Sequence, residues 1–406
     1  MKRRKRTNGC LSVIIGVSAF ACITIAAVSA GFLGKEAKKG LAENVAKSVG
    51  GTEPIPFQEI AITDGELQQK YYYQQLDEKE RTVYKEIAQG VKMNIKEIYV
   101  HTADADRTNT IFQYVLKDFP EIFWCDGTTK STSYEGTEAY TVLEPLYIYT
   151  EEEKDRKKAE IESAVNECLA GIGQDASDYD KILYVYEYIV NTVDYDLASE
   201  DNQNIYSVFV NKKSVCAGYS KATQYLLERL GVFCTYVTGK TSEGQSHAWN
   251  LVKCSGDYYY VDTTWGDPVF QASEGENTAP DHISYDYMCC DDNELKKTHT
   301  PDSDVPLPEC TRMDYNYYVL NGMYYTEYSG DNALKAMNNV ISAGDNPVVF
   351  KFSDSQLYET AHKDIFDVQI KKAAQNLADW YGLSEVKYHY LDEAELNKIT
   401  IYWQYD

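Results

Sequence analysis

The 406-residue sequence holds no Cys-x-x-Cys pair, no His-Glu-x-x-His run, no phosphate-binding glycine loop, no dinucleotide fingerprint and no Gly-x-Ser-x-Gly elbow. These absences speak against a structural zinc site, a zinc-peptidase centre, nucleotide chemistry and the common serine-hydrolase nucleophile. There is no EF-hand calcium loop, no internal repeat and no low-complexity tract. Basic residues are scarce: 39 Lys and Arg face 63 Asp and Glu, a net charge of −24. Five of those bases stand among the first six residues, so the rest of the chain is more acidic still. Such a surface repels phosphate backbones, and nucleic acid is not an expected partner. Cysteine is dilute as well. Beyond residue 22 there are eight (Cys125, Cys168, Cys216, Cys234, Cys254, Cys289, Cys290 and Cys310), which is not the density of a disulfide-stapled small domain.

What is present is a globular composition, 44% hydrophobic and 25% charged, in a length that suits two or three domains. Tyrosine supplies 36 of the aromatic residues, a bias that suits half-buried strands. The chain opens with the basic run Met-Lys-Arg-Arg-Lys-Arg, and residues 10–34 carry no charge. That run exceeds the ~18–20 residues a membrane-crossing helix needs, and the positive-inside rule places everything after it outside the cytoplasm. A cleaved signal peptide is the competing expectation, with Val28-Ser29-Ala30 as acceptable small residues. Both routes export the body, as a single-pass cell-membrane protein or as a secreted one.

After this anchor (1–34) the composition divides the chain into a stalk (35–70), an N-terminal α/β region (71–175), a central core (176–275), a surface connection rich in Pro, Asp and Thr (276–310), and a C-terminal α+β domain (311–406). Helical periodicity starts at Tyr71 and runs through Leu76, Val83, Ile87 and Val91. Further helices are predicted over 110–117, 151–169, 179–192, 332–341 and 366–381. Strands are predicted over 98–100, 140–149, 315–325 and 347–352.

The chemistry concentrates in residues 214–268. Ser214-Val215-Cys216-Ala217-Gly218-Tyr219-Ser220 leads into an apolar helical run through Leu226, Leu227 and Leu230, closed by Gly231. Cys216 then sits at a helix N-terminus, where unpaired N–H groups favour the thiolate, the attacking species in cysteine catalysis. Two strand-like runs follow, Gln245 to Lys253 and Tyr258 to Asp267, joined by Ser255-Gly256. A two-residue hairpin loop there pairs residues whose numbers sum to 511, which sets His247 opposite Thr264 and diagonal to Asp262 on one face. A carboxylate can thus hold one imidazole nitrogen while the other meets a thiol, the logic of a Cys-His-Asp triad. Trp249 falls on the His247 face and is a candidate substrate platform, whereas Trp265 suits packing beneath the hairpin. The other histidines, His101, His282, His299, His362 and His389, show no ligand spacing.

The ordered motifs around Cys216, His-Ala-Trp-Asn and Tyr-Val-Asp-Thr-Thr-Trp-Gly-Asp-Pro resemble the transglutaminase-like superfamily, and the approach Val193-Asp194-Tyr195-Asp196 resembles its exported bacterial members. The resemblance implies an α+β fold: a papain-like core with the cysteine at a helix N-terminus packed on an antiparallel sheet, plus small α/β flanking regions. It implies Cys216 as nucleophile, His247 as base and acid, and Asp262 as the orienting carboxylate, with no cofactor and no metal. A second oxyanion donor would come from upstream of the nucleophile, with Tyr206 and Ser207 as candidates. The implied partner is a protein or peptide amide, cell-wall peptide included, and the implied chemistry is acyl transfer or hydrolysis. A surface module that keeps the fold for binding or envelope assembly is the alternative.

Overall fold

The computed structural model describes residues 47–48, 54–135, 138–173, 175–267 and 282–405. The expected membrane anchor, residues 35–46 and 49–53 of the expected stalk, and residues 276–281 of the expected connection lie outside them. No helix among the described residues is long and apolar enough to cross a membrane. The chain forms two compact units that divide between Tyr315 and Asn316.

Local sequence fixes where the helices of the first unit begin. The predicted helix from Tyr71 is two, α1 (Tyr71–Gln74) and α2 (Glu78–Lys92). Asp77 divides them: its carboxylate accepts from the N–H groups of Lys79 and Glu80, and Glu80 reaches back to the Asp77 N–H. The same capping box opens α4 (Glu151–Leu169) through Thr150 and Glu153, and α5 (Asp178–Thr192) through Ser177 and Asp180. Between them lie α3 (Ala105–Asp118) and a four-stranded sheet in the order β1 (Lys47–Ser48), β3 (Cys125–Glu135), β4 (Tyr140–Tyr147), β2 (Ile98–Val100). The last residue of α3, Asp118, is buried and accepts from the Tyr72 and Tyr73 N–H groups at 3.1 and 3.0 Å and from the Tyr84 hydroxyl at 2.8 Å.

A short parallel pair, β5 (Asp194–Tyr195) and β6 (Lys213–Ser214), brackets the approach to α6 (Cys216–Arg229). Gly231 follows α6 with φ of +77°, the left-handed closure a glycine allows. Against α6 lies a five-stranded sheet in the order β10 (Met288–Cys290), β9 (Asp257–Val261), β8 (Ser246–Cys254), β7 (Cys234–Thr241), β11 (His299–Pro301), antiparallel throughout. Leu226, Leu227, Ala222 and Tyr219 of the helix and Leu251 and Val252 of β8 are all buried, and each large apolar side chain removed from water contributes about 1.5–3 kcal/mol. The N-terminal α/β region is continuous with this core. Lys70 Nζ lies 2.8 Å from Glu228 on α6, and the Tyr72 hydroxyl donates to the Tyr236 carbonyl on β7 at 2.8 Å.

Residues 282–310, the described part of the expected surface connection, do not form one. Residues 288–290 and 299–301 supply both edge strands of the central sheet, with Met288, Cys289 and Cys290 wholly buried. Three-residue strands are too short to show alternation, so the polar residues around them set the sequence reading. All eight cysteines beyond residue 22 are buried and none is in a disulfide.

The second unit has a four-stranded sheet in the order β12 (Tyr324–Tyr325), β13 (Val348–Phe352), β15 (Lys398–Trp403), β14 (Tyr388–Glu393), and three main helices at Gly330–Ala343, Ser355–Asp364 and Ile370–Tyr381. Its core gathers Met337, Ile341, Phe350, Phe352, Leu377, Ile399 and Ile401. The strand expected over 315–325 is instead a helical turn, Tyr317–Leu320, and the two residues of β12. Asn316 caps that turn by accepting from the Tyr318 N–H at 3.0 Å, a local bond that outweighs the strand preference of the tyrosines.

Candidate active site

Three polar bolts set the register of α6 on the sheet. One turn after Cys216, the Ser220 hydroxyl lies 2.8 Å from the Cys216 carbonyl and 2.9 Å from the carbonyl of Ala248, the neighbour of His247. The buried Asn250 amide donates to the Ser220 carbonyl at 2.9 Å. Thr223 meets Thr263, beside Asp262, at 3.1 Å between hydroxyls. These bonds aim the first residue of the helix at the start of β8 and the end of β9. The loop before the helix closes equally tightly. A Cβ on Gly218 would stand 2.0 Å from Ser214 Oγ, so only glycine lets residues 202–204 pack there.

The β8–β9 hairpin pairs Asn250 with Val261, Leu251 with Tyr260 and Cys254 with Asp257, each pair summing to 511. His247 Nε2 lies 2.7 Å from Asp262 Oδ2, and both residues are buried. Asp262 Oδ1 accepts from the N–H groups of Thr264 at 2.8 Å and Trp265 at 3.2 Å. With Nε2 on the carboxylate, Nδ1 is the ring nitrogen left free of Asp262, and Cys216 lies near enough to the ring to add to its basicity. Tyr236 and Ala248 pack against Cys216, which keeps 8% of its surface exposed.

The charges are strongly organised. Burial opposes a cationic His247, but the Asp262 carboxylate and then Cys216 outweigh it and hold the imidazole up at about 10. Burial also opposes the Asp262 charge, yet His247 and the other donors keep that carboxyl well below the usual range.

One residue here was not legible as a site residue. His299, from edge strand β11, places Nε2 3.2 Å from the same Asp262 Oδ2. Its sequence context, a single histidine between threonines in a polar stretch, carries no spacing signal. His247, Asp262 and His299 bring ligand-type atoms within 4.8 Å of one another, a spacing open to a divalent cation. The two contacts to Asp262 Oδ2, at 2.7 and 3.2 Å, have the length of hydrogen bonds from the two rings.

Other candidates fall elsewhere. Trp249 is fully buried and stacks behind His247 with ring centroids 5.8 Å apart, so it is a packing wall and not an exposed platform. Trp265 packs edge-on to Tyr287. The Tyr206 N–H donates to Asn204 Oδ1 and its hydroxyl to Glu160, while the buried Ser207 hydroxyl meets the Asn204 carbonyl and Ser214. These groups, the oxyanion candidates of the sequence, brace the loop before α6.

Residues 166–263, which hold Cys216, His247 and Asp262, match the family model described as the transglutaminase-like superfamily. Kyphoscoliosis peptidase of Mus musculus is 24% identical over 150 residues, 33% of this chain and 23% of that protein. Its Homo sapiens counterpart is 25% identical over 167 residues, 37% of this chain and 24% of its own length. The alignments thus span about a quarter of those relatives. A crystal structure of a TGase aligns at 16% identity and a TM-score of 0.26, covering 47% of this chain and 56% of that one. An α+β core that sets a cysteine at a helix start against a His-Asp hairpin, with the family match over the same residues, makes residues 166–263 a transglutaminase-like domain.

Proposed function

We propose that the protein is an exported, membrane-anchored cysteine acyltransferase or amide hydrolase that acts on protein or peptide amides, cell-wall peptide among them. The observation that carries the reading is His247 held by Asp262 at 2.7 Å, with Cys216, at the start of α6, close enough to the ring to raise its basicity. Cys216 is the nucleophile. Its thiolate adds to the amide carbonyl carbon, and the tetrahedral intermediate collapses as the C–N bond breaks and the imidazolium of His247 protonates the departing ammonia or amine. The thioester then passes its acyl group to water or to an acceptor amine, which neutral His247 deprotonates as it attacks. Asp262 fixes the tautomer and supports the imidazolium. The basic start and uncharged run of residues 1–34 support export and anchoring.

The test is release of ammonia or amine from Gln-containing peptides offered a lysine-like acceptor, for wild type and Cys216→Ala. Turnover lost in the variant, with wild-type folding, supports the reading. Equal rates exclude catalysis by this thiol. A wild type that turns over nothing, and whose Cys216 reacts with iodoacetamide near pH 6 no faster than a free thiol, replaces the enzyme with a surface binding module.

A further inference from the structure

His299 is a buried imidazole at the site that the proposed chemistry leaves unused. Its ring is 1% exposed and lies 5.2 Å, centroid to centroid, from the ring of His247. Behind it, Nδ1 is 2.8 Å from the Thr298 hydroxyl, and Thr298 is 2.5 Å from the hydroxyl of buried Tyr287. The direction of this chain follows from its end. An ionised carboxylate only accepts, so Nε2 of His299 carries the proton given to Asp262 Oδ2. In a neutral ring Nδ1 then accepts from Thr298, and Thr298 in turn accepts from Tyr287. Burial, with the charge of His247 added, keeps His299 neutral.

We propose that His299 is a positioning residue for Asp262. The two backbone donors on Oδ1 come from the turn that immediately follows Asp262 and hold one oxygen only. Oδ2, the atom that carries His247, is fixed from outside that turn by His299. The approach of its strand has been built for. A Cβ on Gly239 of β7 would stand 2.2 Å from the Thr300 carbonyl and 2.6 Å from Trp249, so β11 closes on the sheet only because Gly239 has none. The Tyr287–Thr298–His299 chain thereby stops the carboxylate from turning away from His247. This role rests on the reading of Cys216, His247 and Asp262 as the reacting group.

Two measurements test it, iodoacetamide alkylation of Cys216 at pH 6 and the NMR resonance of the His247 Nε2 proton. His299→Leu removes the donor and is expected to slow alkylation by roughly tenfold or more, the lower range for losing the partner of a functional group, and to shift or broaden the proton signal. His299→Gln can return an N–H to Oδ2 and is expected to restore both. A folded His299→Leu protein with the wild-type rate and an unmoved resonance overturns the proposal. Should His299→Leu not fold, Thr298→Val removes only the hydroxyl behind the ring; it is expected to slow alkylation and move the resonance, and no change in either overturns the proposal. If Cys216 of the wild type reacts as an ordinary thiol, the proposed function fails, and the His247 resonance alone still decides the role of His299.

Discussion

Asp262 and Asp118 are both wholly buried, and both accept from two consecutive or near-consecutive backbone N–H groups, yet their charges behave oppositely. Burial pushes the Asp118 carboxyl up to about 6, and its donors, with Lys70 nearby, only limit the rise. Asp262 is held below the usual carboxylate range because an imidazolium sits on it at 2.7 Å and a second imidazole donates to the same oxygen. Hydrogen bonds alone do not offset the loss of water around a carboxylate; an adjacent charge does. Asp118 is therefore a structural acceptor for the start of α1, whereas Asp262, on the proposed function, keeps a cation beside Cys216.

Exchanging the two kinds of loss is the largest test of that contrast. Asp262→Asn cannot hold the same imidazole tautomer, and on the proposed function the acyl-transfer rate should fall by about 10⁴-fold with the fold retained. Circular dichroism together with the peptide assay checks both halves, and a rate within tenfold of wild type would mean that His247 needs no carboxylate. Asp118→Ala should do the reverse. It strands two backbone N–H groups and the Tyr84 hydroxyl, each worth roughly 1–3 kcal/mol when buried unpaired, so unfolding in urea should shift by about 3 kcal/mol or more while Cys216 alkylation stays near wild type.

The difference between the carboxylates also explains what the sequence could carry. The His247–Asp262 contact lies within one hairpin, where a two-residue loop and strand parity fix the register, and the observed pairs sum to the expected 511. Cys216 was legible for a similar reason, since a helix start and its Gly231 stop are both local signals. His299 was not, because its contact with Asp262 depends on a three-residue edge strand closing on Gly239, a tertiary event without periodicity. Tyr206 and Ser207 brace the loop before α6, and nothing local in a sequence tells such a brace from an oxyanion donor. In the second unit the tyrosines of residues 315–325 carried a strand preference that the Asn316 cap overrode.

Stability against pH separates the two carboxylates without any substrate. Asp118 has a folded value of about 6 against an ordinary 3.8, so its contribution is full below pH 3.8 and is lost as the pH rises through 6, roughly 3 kcal/mol in all. His247 is raised to about 10 from 6.5, so its contribution is full below 6.5 and drains away as the pH climbs through 10, on the order of a few kcal/mol. Asp262, held low, loses its contribution only as the pH falls below the ordinary carboxylate range. Urea midpoints taken from pH 4 to 10 should thus fall in two steps. Asp118→Asn should flatten the step below 6.5 and Asp262→Asn the step above it. If one substitution flattens both, the two carboxylates are not independent.

The smallest expected effect asks whether the carboxylate or the helix register governs the site. Ser220→Ala deletes the hydroxyl that lies between the Cys216 and Ala248 carbonyls. A hydroxyl gives one proton, so one hydrogen bond is lost, about 1 kcal/mol. The Asn250 amide still holds the Ser220 carbonyl, which alanine retains, and Thr223 still meets Thr263. The helix therefore keeps its register on two of its three bolts. Differential scanning calorimetry should show Tm lower by roughly 2–4 °C, the shift 1 kcal/mol brings to a unit of this size. Alkylation of Cys216 should slow only a few-fold, because the helix N-terminus and the His247–Asp262 pair are untouched. A loss as deep as that of Asp262→Asn would place control of the thiol in the helix register and reduce Asp262 to the structural part that Asp118 plays.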